Sequence, residues 1–417
     1  MGNLKILILN DFSYVEGGAS KIAILSALEL LKNNNEVVFF SAVGPPDKEL
    51  SEAPIKRLIC LGQKDILHNN RLEAAITGIY NLKALKELKK LFNEWLPDIV
   101  HVHNVNKALS WATLNLIYSY KIPIVYTIHD YSLLCPNIGI YNYKKNKVCN
   151  YYKSNYMARC LITNCDRRSY MQKLWRWVRY IYLKKILRIP KKIKGYIAVS
   201  NFVAGIFAER LPKNALIEVI HNPVQDSNKR TRHKEIKNNN KINFLYVGRL
   251  AQEKGVDLLL KAFEKVDANL TIIGDGDLIN NCRELSTINR NISVLGWLGD
   301  RQIAEEMEKN DFLIVPSRMM ETFGLVSIEA ASNSLPAIVA NQGGLAEFIE
   351  DGVNGLYFEA GNMDSLESVI KRIIDNPMII SRMSKASREF FVKNNFDSKT
   401  YIDNLESFYK KCLFKTK

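Results

Sequence analysis

Two carboxylates eight residues apart, Glu321 and Glu329, bracket Thr322, Phe323, Gly324 and Leu325 in the segment ETFGLVSIEA, directly after the apolar run FLIVPS. The run predicts a strand, the glycine a loop, and the remainder the start of a helix. Carboxylates on the two sides of such a turn accept hydrogen bonds from hydroxyl pairs, such as those of a sugar and a ribose. Free backbone N–H groups at the helix start can face an anion. The layout suits a nucleotide sugar, although the same spacing occurs on ordinary surface helices, so the neighbouring segments decide its meaning. In FLYVGRLAQEKG, residues 244–255, an apolar strand runs into Gly248, Arg249 and Lys254 before a helical pattern, VDLLLKAFEKV. Open parallel sheets bind ligands beyond the carboxyl ends of their strands, and two cations there can clamp a departing pyrophosphate. The alternative is a pair of solvated surface charges. LTIIGDGD and ISVLGWL, the latter carrying Gly296, repeat the passage from strand to glycine turn.

These loops need elements to hold them. A chain of 417 residues is too long for one ordinary core and suits two domains of about 200 residues. Strand patterns alternate with helical ones throughout, which argues for an α/β fold with parallel sheets. KILILN leads through the loop Asp11 to Gly18 into ASKIAILSALELLKNN, so Gly17 and Gly18 bring backbone N–H groups close to a phosphate or an acceptor, or simply make a turn. EVVFFSAV, DIVHVHN and IPIVYTIHD follow as strands ending in polar residues, placing His129 and Asp130 at a strand's carboxyl end. His101 and His103 read as satisfied core groups. A polar stretch without apolar periodicity marks a linker at 225–240. The second domain then runs over 241–391, and residues 392–417 end in a helix with Tyr401, Leu405, Phe408 and Leu413 on its apolar side. No apolar run reaches the roughly 18 residues of a membrane span, and the first residues read as a buried strand rather than a signal peptide, so a cytoplasmic location is expected.

The order of NDFSYVEGGASK, PDIVHVHN, YTIHDYSLLCPN, IAVSNF, IHNPV, VGRLAQEKG, IIGDGD, VLGW, ETFGLVSIEA and NQGGLAEFIEDGVNGLYF resembles glycosyltransferase family 4, the retaining sugar-nucleotide transferases of bacterial surface-polysaccharide type. The resemblance implies a GT-B fold: two Rossmann-like domains facing a cleft, with the C-terminal helix crossing back to the N-terminal domain. Residues 1–224 would be the acceptor-binding domain, with an insertion at 135–196. By the same resemblance Arg249, Lys254, Glu321 and His129 act in catalysis. Gly17, Gly18, Gly248, Gly296, Thr322, Phe323, Gly324, Leu325 and Glu329 join Arg249, Lys254 and Glu321 around the donor. The family works without a bound metal, so Asp275 and Asp277 read as turn residues, and no cofactor is expected.

Lysines and arginines outnumber acids by 15, and residues 151–196 alone hold thirteen basic residues against one acid, Asp166. Within them Met171, Leu174, Trp175, Val178, Ile181 and Tyr182 predict an apolar stripe flanked by Lys173, Arg176, Arg179, Lys184 and Lys185, with Trp177 nearby. A basic amphipathic helix with aromatic residues suits an anionic membrane surface and a lipid-linked acceptor. It also fits a core-facing helix with a solvated back, or a single-strand nucleic-acid binder, against which the absence of any accompanying motif argues. Cys135, Cys149, Cys160 and Cys165 could hold zinc, but their spacings contain no C-x-x-C pair; Tyr152 stands where relatives often carry a cysteine, and free thiols are the simpler reading. The expected function is retaining sugar transfer from a nucleotide sugar to a saccharide acceptor at the inner face of the membrane, in surface polysaccharide or O-antigen assembly. The alternatives are a sugar-nucleotide epimerase or other GT-B enzyme, or a non-catalytic sugar-nucleotide-binding scaffold.

Overall fold

The computed structural model describes residues 3–64, 75–153, 157–226 and 241–414, so most of the expected linker lies outside the described residues. The chain divides into two compact units, one of Met1–Ile140, Asn150–Asn222 and Ser398–Lys417, the other of Tyr141–Cys149 and Pro223–Asp397. In the first, the apolar runs become β1 (Lys5–Phe12), β2 (Glu36–Val43), β3 (Arg57–Gln63), β4 (Ile99–Asn104), β5 (Ile124–Ile128), β8 (Gly195–Ala198) and β9 (Leu216–Val219) of one parallel sheet. The order is β3-β2-β1-β4-β5-β8-β9. Strands covered by helices on both faces must be apolar along their whole length, and β1, β2 and β5 are buried almost without a break. Helices start where a polar side chain takes up a free backbone N–H: Asn81 before Leu82–Glu94, Ser169 before Tyr170–Ile181, Ser200 before Asn201–Ala208.

The second unit holds β10 (Asn243–Val247), β11 (Asn269–Ile273), β12 (Ile292–Gly296), β13 (Phe312–Val315), β14 (Ala337–Ala340) and β15 (Gly355–Phe358). All are parallel, in the order β12-β11-β10-β13-β14-β15. Counted within the unit this is 3-2-1-4-5-6, the Rossmann order, and its direction of winding reverses between β10 and β13. Open sheets of this order have a crevice at that reversal, bordered by the loops after these two strands. The short hairpin β6 (Tyr141–Asn142) and β7 (Lys147–Val148) corrects the expected boundary. Expected within the first domain's insertion, it groups with the second unit, where the buried Tyr141 feels the charges of Arg318, Glu253 and Asp257.

The C-terminal helix Ser398–Phe414 belongs to the first unit and buries Tyr401, Ile402, Leu405, Phe408, Tyr409 and Cys412. Its buried polar groups are matched: the Tyr401 and Ser26 hydroxyls meet at 2.8 Å, and the Tyr409 hydroxyl reaches His101 Nδ1 at 2.7 Å. The helix sits directly on β8 because position 195 has no side chain. A Cβ there would lie 2.5 Å from Cys412 Sγ and 2.8 Å from the Phe408 ring. Gly195→Ala is therefore expected to lower stability by about 1–3 kcal/mol through overpacking, measured by urea unfolding of the full chain. An unchanged midpoint would show that the helix seat is not tightly packed.

Candidate functional site

At the reversal in the second unit, Glu321 Oε1 accepts from Lys254 Nζ at 2.5 Å and from Ser317 Oγ at 2.9 Å. Lys254 ends a single helical turn after β10, whereas Ser317 and Glu321 follow β13, so adjacent strand ends supply the three groups. Burial acts to raise the Glu321 pKa, but the Lys254 charge and hydrogen bond, the Ser317 hydroxyl and the Arg249 charge outweigh it, and the carboxyl titrates below its ordinary value. It is an anion at neutral pH, with lone pairs left for hydroxyls. The loop is clamped from both sides. Arg318 forms a two-pronged ion pair with Asp257, and its backbone N–H donates to Glu253 O at 3.0 Å. On the other side Gly344 N–H donates to Glu321 O at 2.7 Å, while Gln342 Nε2 donates to Ser317 O at 3.0 Å. Gly343, at φ 72°, passes so close that a Cβ would sit 2.8 Å from the Glu321 backbone. Gly324, at φ 89°, turns the chain into the helix Leu325–Ser332, which carries Glu329 half-buried one turn in.

Arg249 was expected beside Lys254, and the structure gives it a different partner: its guanidinium pairs with Glu253 at 2.5 Å and stays about half exposed. Glu253 is buried. Thr322 is half-buried and Phe323 is packed against Phe348. Gly248 and Gly296 lie at the ends of β10 and β12, with Gly248 N–H donating to Ile273 O. Sequence reasoning missed Glu253, Ser317, Arg318, Gln342 and Gly343. All but Arg318 lie inside the segments VGRLAQEKG, FLIVPS and NQGGLAEFIEDGVNGLYF, but the contacts that give most of them work are long-range.

In the first unit the reversal falls between β1 and β4, and Asp11 at the end of β1 accepts from the backbone N–H groups of Lys107, Ala108 and Leu109 at 2.6–2.9 Å. Burial raises its pKa to about 6 against those bonds. The histidines form a line. His101 bonds Thr127 and Tyr409, as a core histidine should, whereas His103 Nδ1 meets His129 Nε2 at 3.0 Å with the rings stacked, and His103 Nε2 is buried with no hydrogen-bond partner among the described residues. His103 is thus tied to the candidate site rather than merely to the core. Burial lowers the His129 pKa to about 3, so at neutral pH His129 offers an uncharged imidazole. Asp130 caps the next turn at Ser132 N and accepts from Asn106 Nδ2 at 3.0 Å. Gly17 is extended, at φ 175°, with open space where its Cβ would be, and Gly18 begins the helix Gly18–Lys32.

The basic helix Tyr170–Ile181 corrects its expected orientation. Lys173 and Arg179 are buried, Arg179 donating to Asn106 O and stacking on Trp175, while Arg176 donates to Asn137 and pairs with Asp166. Trp175 Nε1 reaches Ala75 O, Trp177 is half-buried, and Lys184 lies over the Tyr180 ring, its pKa lowered to about 8 by burial. Met171, Val178 and Ile186 instead face outward, 73%, 51% and 66% exposed, with Lys185 beside them. Buried carbonyls and Asp166 in the first unit need donors that long basic side chains supply, and this demand outweighs the amphipathic pattern.

Residues 16–228, just over half of the chain, match the model of Glycosyltransferase Family 4, and residues 227–390 match that of the Glycosyl transferases group 1. The chain belongs to glycosyltransferase family 4. An uncharacterised glycosyltransferase of Methanocaldococcus jannaschii is 34% identical over 48% of this chain, which spans 55% of that relative. A 41.2 kDa protein of the Klebsiella pneumoniae cps region is 26% identical over 86% of this chain and 90% of its own length. A lipopolysaccharide 1,2-N-acetylglucosaminetransferase of Salmonella typhimurium is 25% identical over 50% of this chain and 61% of its own. The solved structure of Anabaena HepE with UDP superposes with a TM-score of 0.67 at 17% identity, covering 98% of this chain and all of that one. This likeness and the two parallel-sheet units make the fold GT-B. Within this glycosyltransferase the Lys254–Glu321 pair is open to direct test. Removing the cation leaves burial to govern Glu321, so its folded-state pKa rises above the unfolded 4.5 and the folded state binds the extra proton. Lys254→Met should therefore cost about 2 kcal/mol at pH 7, and less at pH 5 as Glu321 protonates, with Lys254→Met/Glu321→Met restoring much of the loss. Urea unfolding at both pH values reads this out. An equal penalty at both would mean that the pair does not set the carboxylate's charge.

Proposed function

We propose that this glycosyltransferase moves a hexosyl group, with retention at the anomeric carbon, from a nucleotide diphosphate sugar to a hydroxyl of a lipid-linked saccharide in bacterial surface-polysaccharide or O-antigen synthesis. The observation that carries the reading is Glu321, an anion fixed by Lys254 and Ser317 at the strand reversal where open α/β sheets take ligands. Glu321 holds donor-sugar hydroxyls and Glu329 the ribose. As the bond to the sugar breaks, negative charge grows on the diphosphate, and the exposed face of Arg249, the Lys254 ammonium and the backbone N–H groups after Gly324 stabilise it without a metal. The neutral His129, set by His103, hydrogen-bonds the sugar rather than adding a charge. A UDP sugar is the favoured donor, in keeping with the HepE complex with UDP. The cps-region and lipopolysaccharide relatives support the surface-polysaccharide assignment. Ligand-observed NMR against UDP, GDP and ADP and their hexoses should show one nucleotide binding selectively, with affinity falling at least about tenfold in Arg249→Ala and transfer lost in Glu321→Ala. Binding of no nucleotide would return the chain to the scaffold reading.

The location proposed is cytoplasmic, peripheral at the inner face of the membrane, where a lipid-linked acceptor is presented. Among the described residues no helix is long and apolar enough to cross a membrane. The docking face keeps Met171, Val178 and Lys185 of the expected helix face and adds the exposed Ile186, Arg188 and Lys191, while Lys173 and Arg179 are buried; its charge complements anionic lipid. No role is assigned to nucleic acid. Co-sedimentation with phosphatidylglycerol vesicles should fall about tenfold or more in Val178→Asp/Ile186→Asp and should be weak on phosphatidylcholine. Equal sedimentation of wild type and variant would remove this face from the proposal.

A further inference from the structure

Lys173 is fully buried, and its ammonium donates to the sulphur of Cys160 at 3.0 Å. A buried ammonium needs an anion. Among the described residues the partner of that ammonium is the Cys160 sulphur, whereas the Asp166 carboxylate is engaged by Arg176 and by the backbone N–H of Arg168. Cys135 and Cys165 act on the same charge, and Tyr180 lies within reach of Cys135 and Cys160. Burial works against the charged form of Lys173, yet the bond to Cys160 and the surrounding sulphurs outweigh it, so its pKa is raised. Cys160 is half-buried, whereas Cys165 is buried and its carbonyl accepts from Asn137 Nδ2. Among the described residues no group of three or more histidine, cysteine or acidic side chains has the geometry of a metal site.

We propose that Cys160 and Lys173 form a thiolate–ammonium pair that makes Cys160 a site of oxidation by peroxides. The thiolate attacks one oxygen of hydrogen peroxide, the O–O bond breaks, and the leaving hydroxide takes a proton from Lys173. The products are a sulfenic acid, water and a neutral amine; sulphur is oxidised and peroxide reduced. The step removes both charges of the pair at once. The helix that carries Lys173 also carries Arg179, which bonds Asn106, which in turn bonds Asp130 beside His129. Oxidation thus loosens the helix that supports the His129 loop.

The test treats the reduced full-length protein with hydrogen peroxide in the presence of dimedone and maps labelled cysteines by mass spectrometry. Cys160 should label first, at least about tenfold faster than Cys60, with the rate falling about tenfold in Lys173→Met and being retained in Lys173→Arg. Because Lys173→Met can also disturb folding, alkylation of wild-type Cys160 by iodoacetamide at about pH 7 gives a second reading, expected to outpace that of Cys60 about tenfold. Peroxide should also raise hydrogen exchange across Tyr170–Ile181 in wild type but not in Cys160→Ser. Dimedone labelling or alkylation of Cys160 no faster than that of Cys60, or stoichiometric zinc in the purified protein, would each overturn the proposal.

Discussion

A carboxylate drawn out of water must find a counter-charge, and the arrangement of the second unit follows from how Glu321 finds Lys254. The two residues are 67 positions apart, so the pair forms only if the strands that precede them are neighbours. That condition is met at the β10–β13 reversal, the one place in such a sheet where adjacent loops part and leave a crevice. Arg318 on Asp257 and the Gly343–Gly344 backbone against Glu321 hold the loop on either side, so its anion is oriented before any ligand arrives. A preorganised charge is worth more to a transition state than one that must be gathered.

The first unit uses the opposite device. Burial lowers the pKa of His101, His103 and His129, and it leaves His129 neutral at physiological pH. A neutral imidazole donates or accepts a hydrogen bond but does not compete for the positive charge that develops on a sugar ring. The C-terminal helix takes part, because Tyr409 occupies His101 Nδ1 and so limits which tautomers the line can adopt. One unit therefore presents fixed charges and the other an uncharged hydrogen-bonding group.

The basic surplus of residues 151–196 divides between interior and surface. Lys173 and Arg179 satisfy buried acceptors, and Arg176 answers Asp166, whereas Lys185, Arg188 and Lys191 remain outside. Counting charges along the segment overstates the cationic surface, since long aliphatic stems let basic side chains reach inward. The exposed apolar residues Met171, Val178 and Ile186 mark the surface better than the charges do.

The parallel strands, the glycine turns after β10 and β13, and the placing of Arg249, Lys254, Glu321 and His129 in loops beyond strand ends were legible in the sequence, because they rest on local grammar: apolar runs of strand length, glycine where the chain must turn, and ordered segments resembling one family. The family itself followed from those residues. Helix Tyr170–Ile181 shows where local grammar fails, since its pattern says which positions are apolar but not which face the core lacks donors for. Arg249 pairing with Glu253, Lys254 with Glu321, His103 with His129 and Cys160 with Lys173 were decided only by tertiary structure. Partners and protonation states depend on burial and on neighbours brought from distant parts of the chain, and neither is a property of residue order alone.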